Sequence, residues 1–341
     1  MSKKIVAFHS YQLGERGTEI HMYNLAKYNQ EILGNESIII STNTRPTPSL
    51  HMFEKKFKTF LYDDVWIRDR QNNKLRNSIE RICHENNATH FWVTKGGEND
   101  GIMPTNVKTL AACIFEMNEP HGDVYSGICE YISNKHGGSY PCIYPIIQKD
   151  FPDYYDDYRE ELGIPKESIV FGRHGGKEEF NIDFVKNAVI QALDKRSDIY
   201  FLFLNTNNFI SHERVIYLDW TSDFKLKSKF VNTCDAMLHA RYHGEIFSQA
   251  VAEFSIRNKP IITWKPSGIT SLRVATPQSF HDTGHLWELQ DTAYYYTDFN
   301  DILNILLNIS KSDIINKDWD VYKDKYSPQN VMNDFEKIFL T

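Results

Sequence analysis

Short, nearly continuous apolar runs punctuate the first half of the chain: KIVAFHS, ESIIIST, KTFLY, THFWVTK and TLAACIFE. Between them lie stretches of helical period, which predict helices over 17–33 and 69–85. The pattern restarts at SIVFGRHGG and runs through a helix over 182–193, then DIYFLFLNT, RVIYLDW, a helix over 223–233, DAMLHA and PIITW. Strands alternating with helices of this length predict β-α-β units and parallel sheets. Two rounds of the pattern, separated by the loop-rich CIYPIIQKDFPDYYDDY, predict an α/β protein of two Rossmann-like domains facing across a cleft, with a boundary near residue 150. NDILNILLNIS and PQNVMNDFEKIFL read as two further amphipathic helices.

The densest chemistry lies in LHARYHGEIFSQAVAEFSIRNKPIITW. Phe247, Ala250, Val251 and Phe254 form an i, i+3, i+4, i+7 stripe, with Gly244 before it and Arg257, Asn258 and Pro260 closing it. A helix from about Glu245 would hold Glu245 and Glu253 roughly 12 Å apart along its axis and about 80° apart around it. Its first N–H groups, near Glu245, Ile246, Phe247 and Ser248, and the positive end of its dipole would suit a phosphate. Two carboxylates beside a phosphate require cations, and Arg241, Arg173 and Lys177 are the candidates.

The spacing of Glu245 and Glu253, with Phe247 two residues after the first Glu, an Ala between them and KPII following, resembles the signature of retaining glycosyltransferases of the large sucrose-synthase and glycogen-synthase-like group, the family 4-like enzymes. The resemblance implies the two-domain GT-B architecture. It also implies that the last helix returns to the first domain, so that 1–150 and 322–341 form the acceptor side and 151–321 the donor side.

Other loops extend the resemblance. SYQLGERGTEIH, after the first strand, places Gly14 and Gly17 for close backbone approach and Thr18 to cap a helix. It is similar to the G-x-x-G-T-E-x-H loop of such enzymes, which touches the donor diphosphate or the acceptor. FGRHGGKEEF puts Arg173 just past a strand and Lys177 four residues later, where related enzymes hold the departing nucleoside diphosphate with an Arg and a Lys usually five apart. A planar guanidinium can meet two phosphate oxygens at once. His121, after IFEMNEP, corresponds to a His near the transferred sugar. Asn205 and Thr206 follow a strand and are placed to contact the nucleotide, and His243 and Gly244 flank the first Glu as donor-pocket residues.

Composition removes alternatives. With 341 residues, 41% hydrophobic and 24% charged, the chain has the make-up of a folded two-domain protein. A formal net charge of −7 argues against a general affinity for nucleic acid or anionic membranes. No run suits a membrane span and the N-terminus does not read as a signal peptide, so a cytoplasmic location is expected. The five cysteines are scattered and never in a C-x-x-C pair, which suits reduced thiols. His239 with His243, and His281 with His285, have His-x-x-x-His spacing, but H-E-x-x-H is absent, as are G-x-G-x-x-G, a Walker sequence and G-x-S-x-G.

The reading that results is a metal-independent, retaining transferase without a cofactor. It would take a sugar from a nucleoside-diphosphate donor to a hydroxyl of a glycan, glycolipid or glycoprotein. A nucleotide-sugar epimerase or hydrolase of the same fold, and a non-catalytic sugar-nucleotide or glycan-binding module, are the alternatives.

Overall fold

The structure is a computed structural model that describes residues 3–14, 16–67, 72–149, 153–267 and 282–341. It divides into two compact units, Met1–Ile146 with Lys325–Thr341, and Ile147–Asp324.

The first unit runs β1 (Ile5–His9), α1 (Gly17–Glu31), β2 (Glu36–Thr42), α2 (Leu50–Glu54), β3 (Lys58–Tyr62), α3 (Asn73–Glu85), β4 (His90–Lys95), β5 (Lys108–Cys113), β6 (Val124–Gly127) and α4 (Glu130–Lys135). The strands form one parallel sheet in the order β3-β2-β1-β4-β5-β6. Val6, Ala7, Phe8, Phe91, Trp92 and Val93 are fully buried, which is why these strands read as continuous apolar runs. The C-terminal helix Pro328–Phe335, with Ser327 as its cap, packs on this unit. Phe335 stacks on Phe8 with ring centroids 6.2 Å apart, and Phe339 meets the edge of His90 at 5.1 Å. Helix α1 stops at Glu31, short of the predicted 33, and the predicted start of α3 at 69 lies outside the described residues.

The second unit runs β7 (Ile169–His174), α5 (Asp183–Lys195), β8 (Ile199–Leu204), β9 (Val215–Leu218), α6 (Phe224–Thr233), β10 (Ala236–His239), β11 (Gly244–Glu245), α7 (Gln249–Ser255), β12 (Ile261–Trp264), β13 (Asp282–Thr283), α8 (Gly284–Leu289), β14 (Tyr294–Tyr296), α9 (Phe299–Asn308) and α10 (Lys311–Ile315). Its six-stranded parallel sheet has the order β14-β12-β10-β7-β8-β9. Side chains alternate between the faces. Ile169 and Phe171 pack with Val185 and Val189 of α5 and Leu306 of α9, while Val170 packs with Phe230 of α6 and Phe254 of α7.

Each sheet reverses its winding direction once among these strands: between β1 and β4 in the first unit, and between β7 and β10 in the second. In open parallel sheets the carboxyl ends of the strands at such a switch point are where ligands bind. No described helix is long and apolar enough to cross a membrane.

Candidate functional site

At the switch point of the second unit, β7 delivers Arg173 and β10 leads into Arg241. Arg173 lies inside β7, not just beyond it as the sequence suggests, and it is 4% exposed. Its guanidinium donates to the Asn205 carbonyl at 3.1 Å, the Thr206 hydroxyl at 2.6 Å and the Gly176 carbonyl at 2.7 Å. Burial lowers its pKa to about 10, opposed by the nearby charges of Glu179 and Glu245. Thus Arg173 is a desolvated cation that ties the loop after β7 to the loop after β8. Gly175 bends over it with φ +152°, and Asn205, left-handed at φ +53°, donates its amide to the Gly175 carbonyl at 2.9 Å. Lys177 is exposed, and its ammonium has no partner among the described residues.

Glu245 is not helical. Gly244–Glu245 is a short strand paired in parallel with Asp282–Thr283, and α7 begins only at Gln249, after the Ser248 cap. The predicted single helix carrying both glutamates is therefore corrected. Gly244 has φ +64°, and a Cβ there would stand 1.9 Å from the Asp282 carbonyl oxygen, so the close strand pairing requires glycine. Ile246 and Phe247 precede the helix and cannot supply its first N–H groups. Ser248 caps the N–H of Val251 at 3.4 Å, and a helix of seven residues has a correspondingly short dipole. Charge at this site comes from side chains.

Those side chains form a chain of contacts. Arg241 donates to Glu245 at 2.7 Å with one arm and pairs with Glu179 at 3.2 Å with the other. Glu179 in turn accepts from the Gly176 N–H at 3.1 Å. On its other side Glu245 faces His239 Nε2 at 3.6 Å. Burial alone would raise the Glu245 carboxyl; His239 and Arg241 outweigh it and hold it below the usual range. His243 and Gly244 lie on the same turn, where the Gly244 N–H donates to the Arg241 carbonyl at 3.1 Å and the His243 carbonyl accepts from the Asp282 N–H at 2.9 Å.

Glu253 sits in a separate cage. It is 4% exposed; Lys227 of α6 donates to Oε1 at 2.7 Å, Gln249 donates to the same oxygen at 3.2 Å, and His174 approaches Oε2 at 3.1 Å. The His174 contact has the distance of an ion pair without the angles of a hydrogen bond. Burial opposes ionisation of Glu253, but Lys227 and His174 hold its carboxyl well below the usual range. Sequence reasoning missed Glu179, Lys227, His174 and His239 as partners, because the contacts depend on the adjacency of β7 and β10, on the packing of α6 against α7 and on the turn before Gly244–Glu245.

The switch point of the first unit is also polar. Lys95, ending β4 and 3% exposed, is held by Asp100 and by the Tyr11 hydroxyl at 2.7 Å. Tyr11 donates to Asp100, and Trp66 donates to the same carboxylate at 3.0 Å. His121, on the loop after β5, is 9% exposed, and its Nδ1 lies 2.6 Å from the Glu119 carbonyl. A carbonyl only accepts, so the proton is on Nδ1 and Nε2 is a bare acceptor; it is buried without a partner among the described residues. In the SYQLGERGTEIH loop, Gly14 is half-buried and Gly17 opens α1. Arg16, not Thr18, is the N-cap, without a side-chain bond, so the predicted Thr18 cap is corrected. Thr18 donates to Glu19 at 2.7 Å.

The His239 and His243 pair does not converge on a metal geometry, and His281 lies outside the described residues. Among those residues, no group of three or more His, Cys, Asp and Glu side chains could hold a metal ion.

No protein-family model matches the chain, and no curated protein matches it by sequence. Solved structures do. A glycosyltransferase from Rickettsia africae ESF-5 superposes with a TM-score of 0.64 at 13% identity, covering 99% of both chains. Anabaena Alr3699/HepE, in complex with UDP and glucose, gives a TM-score of 0.67 at 12% identity over 98% of this chain and 97% of its own. A Listeria monocytogenes protein described as a UDP-N-acetylglucosamine 2-epimerase gives 0.61 at 12% identity over 98% and 96%. The chain therefore has the GT-B fold of two Rossmann-like domains, the fold of known glycosyltransferases.

Proposed function

We propose that the protein is a metal-independent, retaining glycosyltransferase that transfers a sugar from a nucleoside-diphosphate donor to an acceptor hydroxyl of a glycan or glycoconjugate. The observation that carries the reading is the gathering of Arg173, Arg241 and Glu245 at the switch point of the second sheet, in a chain with a glycosyltransferase fold. As the glycosidic bond breaks, negative charge grows on the departing diphosphate. Arg173 and Arg241 supply positive charge already held in place, which requires little reorganisation at the moment of reaction, and the exposed Lys177 adds a third cation. Glu245, ionised and oriented by Arg241, accepts from sugar hydroxyls. Glu253 takes the ribose hydroxyls in exchange for one of its present partners, Lys227 or Gln249.

The acceptor is received by the first unit, at Tyr11, Trp66, Lys95 and Asp100. The bare Nε2 of His121 is an acceptor for a sugar hydroxyl. Asn205 and Thr206, fixed by Arg173, line the nucleotide side. A thermal-shift series with UDP, GDP, ADP, TDP and their sugar conjugates, in EDTA, tests this. A nucleotide at a hundredfold excess over its Kd adds about 2.7 kcal/mol to stability. Stabilisation by none of them contradicts the reading.

A nucleotide-sugar epimerase is the second reading, favoured by the likeness to the Listeria protein. It predicts conversion of a nucleotide sugar to its epimer with no acceptor present, whereas the transferase leaves the donor's ring stereocentres unchanged.

A further inference from the structure

The loop after β7 turns back so that a carboxylate of its own lies among the cations of the candidate site. Oε2 of Glu179 accepts from the Gly176 N–H at 3.1 Å, and Oε1 meets one arm of Arg241 at 3.2 Å. The other arm of Arg241 is taken by Glu245 at 2.7 Å. Arg173 donates to the carbonyl of the same Gly176 at 2.7 Å, and the charge of Glu179 is the largest that opposes the effect of burial on its guanidinium. One carboxylate therefore holds a backbone N–H and a guanidinium arm, with a second guanidinium close by. These are the donors that a phosphate oxygen of a ligand would take.

Two features make this seat exchangeable. The side chains of Glu179 and Arg241 are 37% and 31% exposed, and an ion pair so open to water is weakly held, so the carboxylate can swing out at small cost. The donors that would remain are anchored elsewhere: Arg241 keeps Glu245, and Arg173 keeps the carbonyls of Asn205 and Gly176. The second feature is the glycine. A Cβ at Gly176 would stand 2.6 Å from both the carboxyl carbon and Oε2 of Glu179, so the absence of a side chain there is what lets an oxygen reach the N–H.

We propose that Glu179 is a displaceable internal anion that fills the phosphate seat formed by the Gly176 N–H and Arg241, and that a phosphate group of a ligand binds by driving it out. A site blocked for most of the time lowers the apparent affinity of whatever needs it by the fraction that is open. If Glu179 holds the seat for roughly nine-tenths of the time, every ligand with a phosphate there binds about tenfold more weakly than the bare seat would allow. The return of Glu179 would then help a departing diphosphate to leave. That last consequence rests on the transferase reading; the exchange at the seat does not.

The test is calorimetry of the full chain with inorganic pyrophosphate in EDTA. Glu179→Gln keeps the shape of the side chain and an acceptor for the Gly176 N–H but removes the charge paired with Arg241; it is expected to bind pyrophosphate at least about tenfold more tightly than the wild type. Glu178→Gln removes the same charge from the exposed neighbouring position, where solvent and salt screen it, and is expected to stay within about twofold of the wild type. Gly176 does not have a left-handed backbone, so alanine is accommodated, and Gly176→Ala in the Glu179→Gln background should lose the gain by blocking the seat. Equal tightening in Glu178→Gln overturns the proposal. So does wild-type affinity or no binding in Glu179→Gln, or a gain that survives Gly176→Ala. The same series with UDP separates the two readings. A gain with pyrophosphate and no binding of any nucleotide leaves the seat standing and sinks the transferase reading, whereas nucleotide binding that Glu179→Gln leaves unchanged does the reverse.

Discussion

Glu253 gives the sharpest energetic prediction, because its role in holding the second unit together can be separated from any role in binding. Its carboxylate is buried, and Lys227, itself only 19% exposed at the side chain, donates to it at 2.7 Å. Replacing Glu253 by Ala leaves the Lys227 ammonium in a mostly buried position with no carboxylate. Lys227→Ala leaves Glu253 with Gln249 and a His174 whose pKa is lowered by burial. Breaking a buried pair from one side typically costs about 3 to 5 kcal/mol, most of it the penalty on the stranded charge. Partial resolvation of Lys227 puts Glu253→Ala near the lower figure. The double variant strands neither charge, so it should cost roughly as much as either single change, with a coupling energy of about 2 to 3 kcal/mol.

Urea unfolding of the ligand-free protein, followed by tryptophan fluorescence, measures all three variants. With a slope near 2 kcal/mol per molar urea, each single change moves the midpoint by roughly 1.5 M. The pH dependence has a definite sign. A carboxyl held below its ordinary 4.5 contributes stability that is fully present above that value and is lost as pH falls through the folded value. The deficit of Glu253→Ala should therefore be constant from neutrality down to about pH 4.5 and shrink below it. Costs that simply add in the double variant, within about 0.5 kcal/mol, would refute the cage.

Four further outcomes are expected. His9, His21 and His285 are buried, with pKa lowered from 6.5 to about 3, so the unfolded chain takes up protons that the folded one refuses; each should cost about 2 kcal/mol of stability between about pH 7 and pH 5, seen in urea melts at those two pH values. Gly244→Ala places a Cβ against the Asp282 carbonyl at a left-handed φ; it should lower stability by more than about 1 kcal/mol and weaken nucleotide affinity by calorimetry, and wild-type values for both would count against the strand pairing. Arg173→Met should abolish stabilisation by nucleotide, and Arg173→Lys should not restore it, since one ammonium cannot reach the three acceptors that the guanidinium spans. Phe335→Ala should destabilise the first unit by roughly 3 to 5 kcal/mol, read as a lower thermal midpoint, because it removes the ring stacked on Phe8.

Most strands of both sheets could be read from the sequence because a strand covered on both faces is apolar at almost every position, as in Phe201, Leu202 and Phe203. The α/β class and the two parallel sheets follow from that pattern. The motif region was harder. Ala250, Val251 and Phe254 are on α7, but Phe247 lies before the Ser248 cap, so the stripe overran the helix at its start. What makes Gly244–Glu245 a strand is its pairing with Asp282–Thr283, almost forty residues away, and no local pattern reports a partner at that distance. The same holds for the environment of the candidate residues. Whether Glu253 meets Lys227 depends on how α6 packs against α7, and whether Glu245 turns back onto His239 and Arg241 depends on its pairing with Asp282–Thr283. Short strands such as β6 and β14, and the short helices α2, α4 and α8, left no period long enough to detect.

Under the proposed function, the protein breaks the sugar–phosphate bond of a nucleotide sugar with retention and without a metal. Proton NMR of a UDP-glucose solution with the protein in EDTA, recorded faster than the free sugar mutarotates, reads this from the anomer first formed. Slow turnover to the α-configured product, lost in Arg173→Met, is the expected result. First formation of the β-configured product, or turnover that appears only when a divalent metal is added, would contradict it.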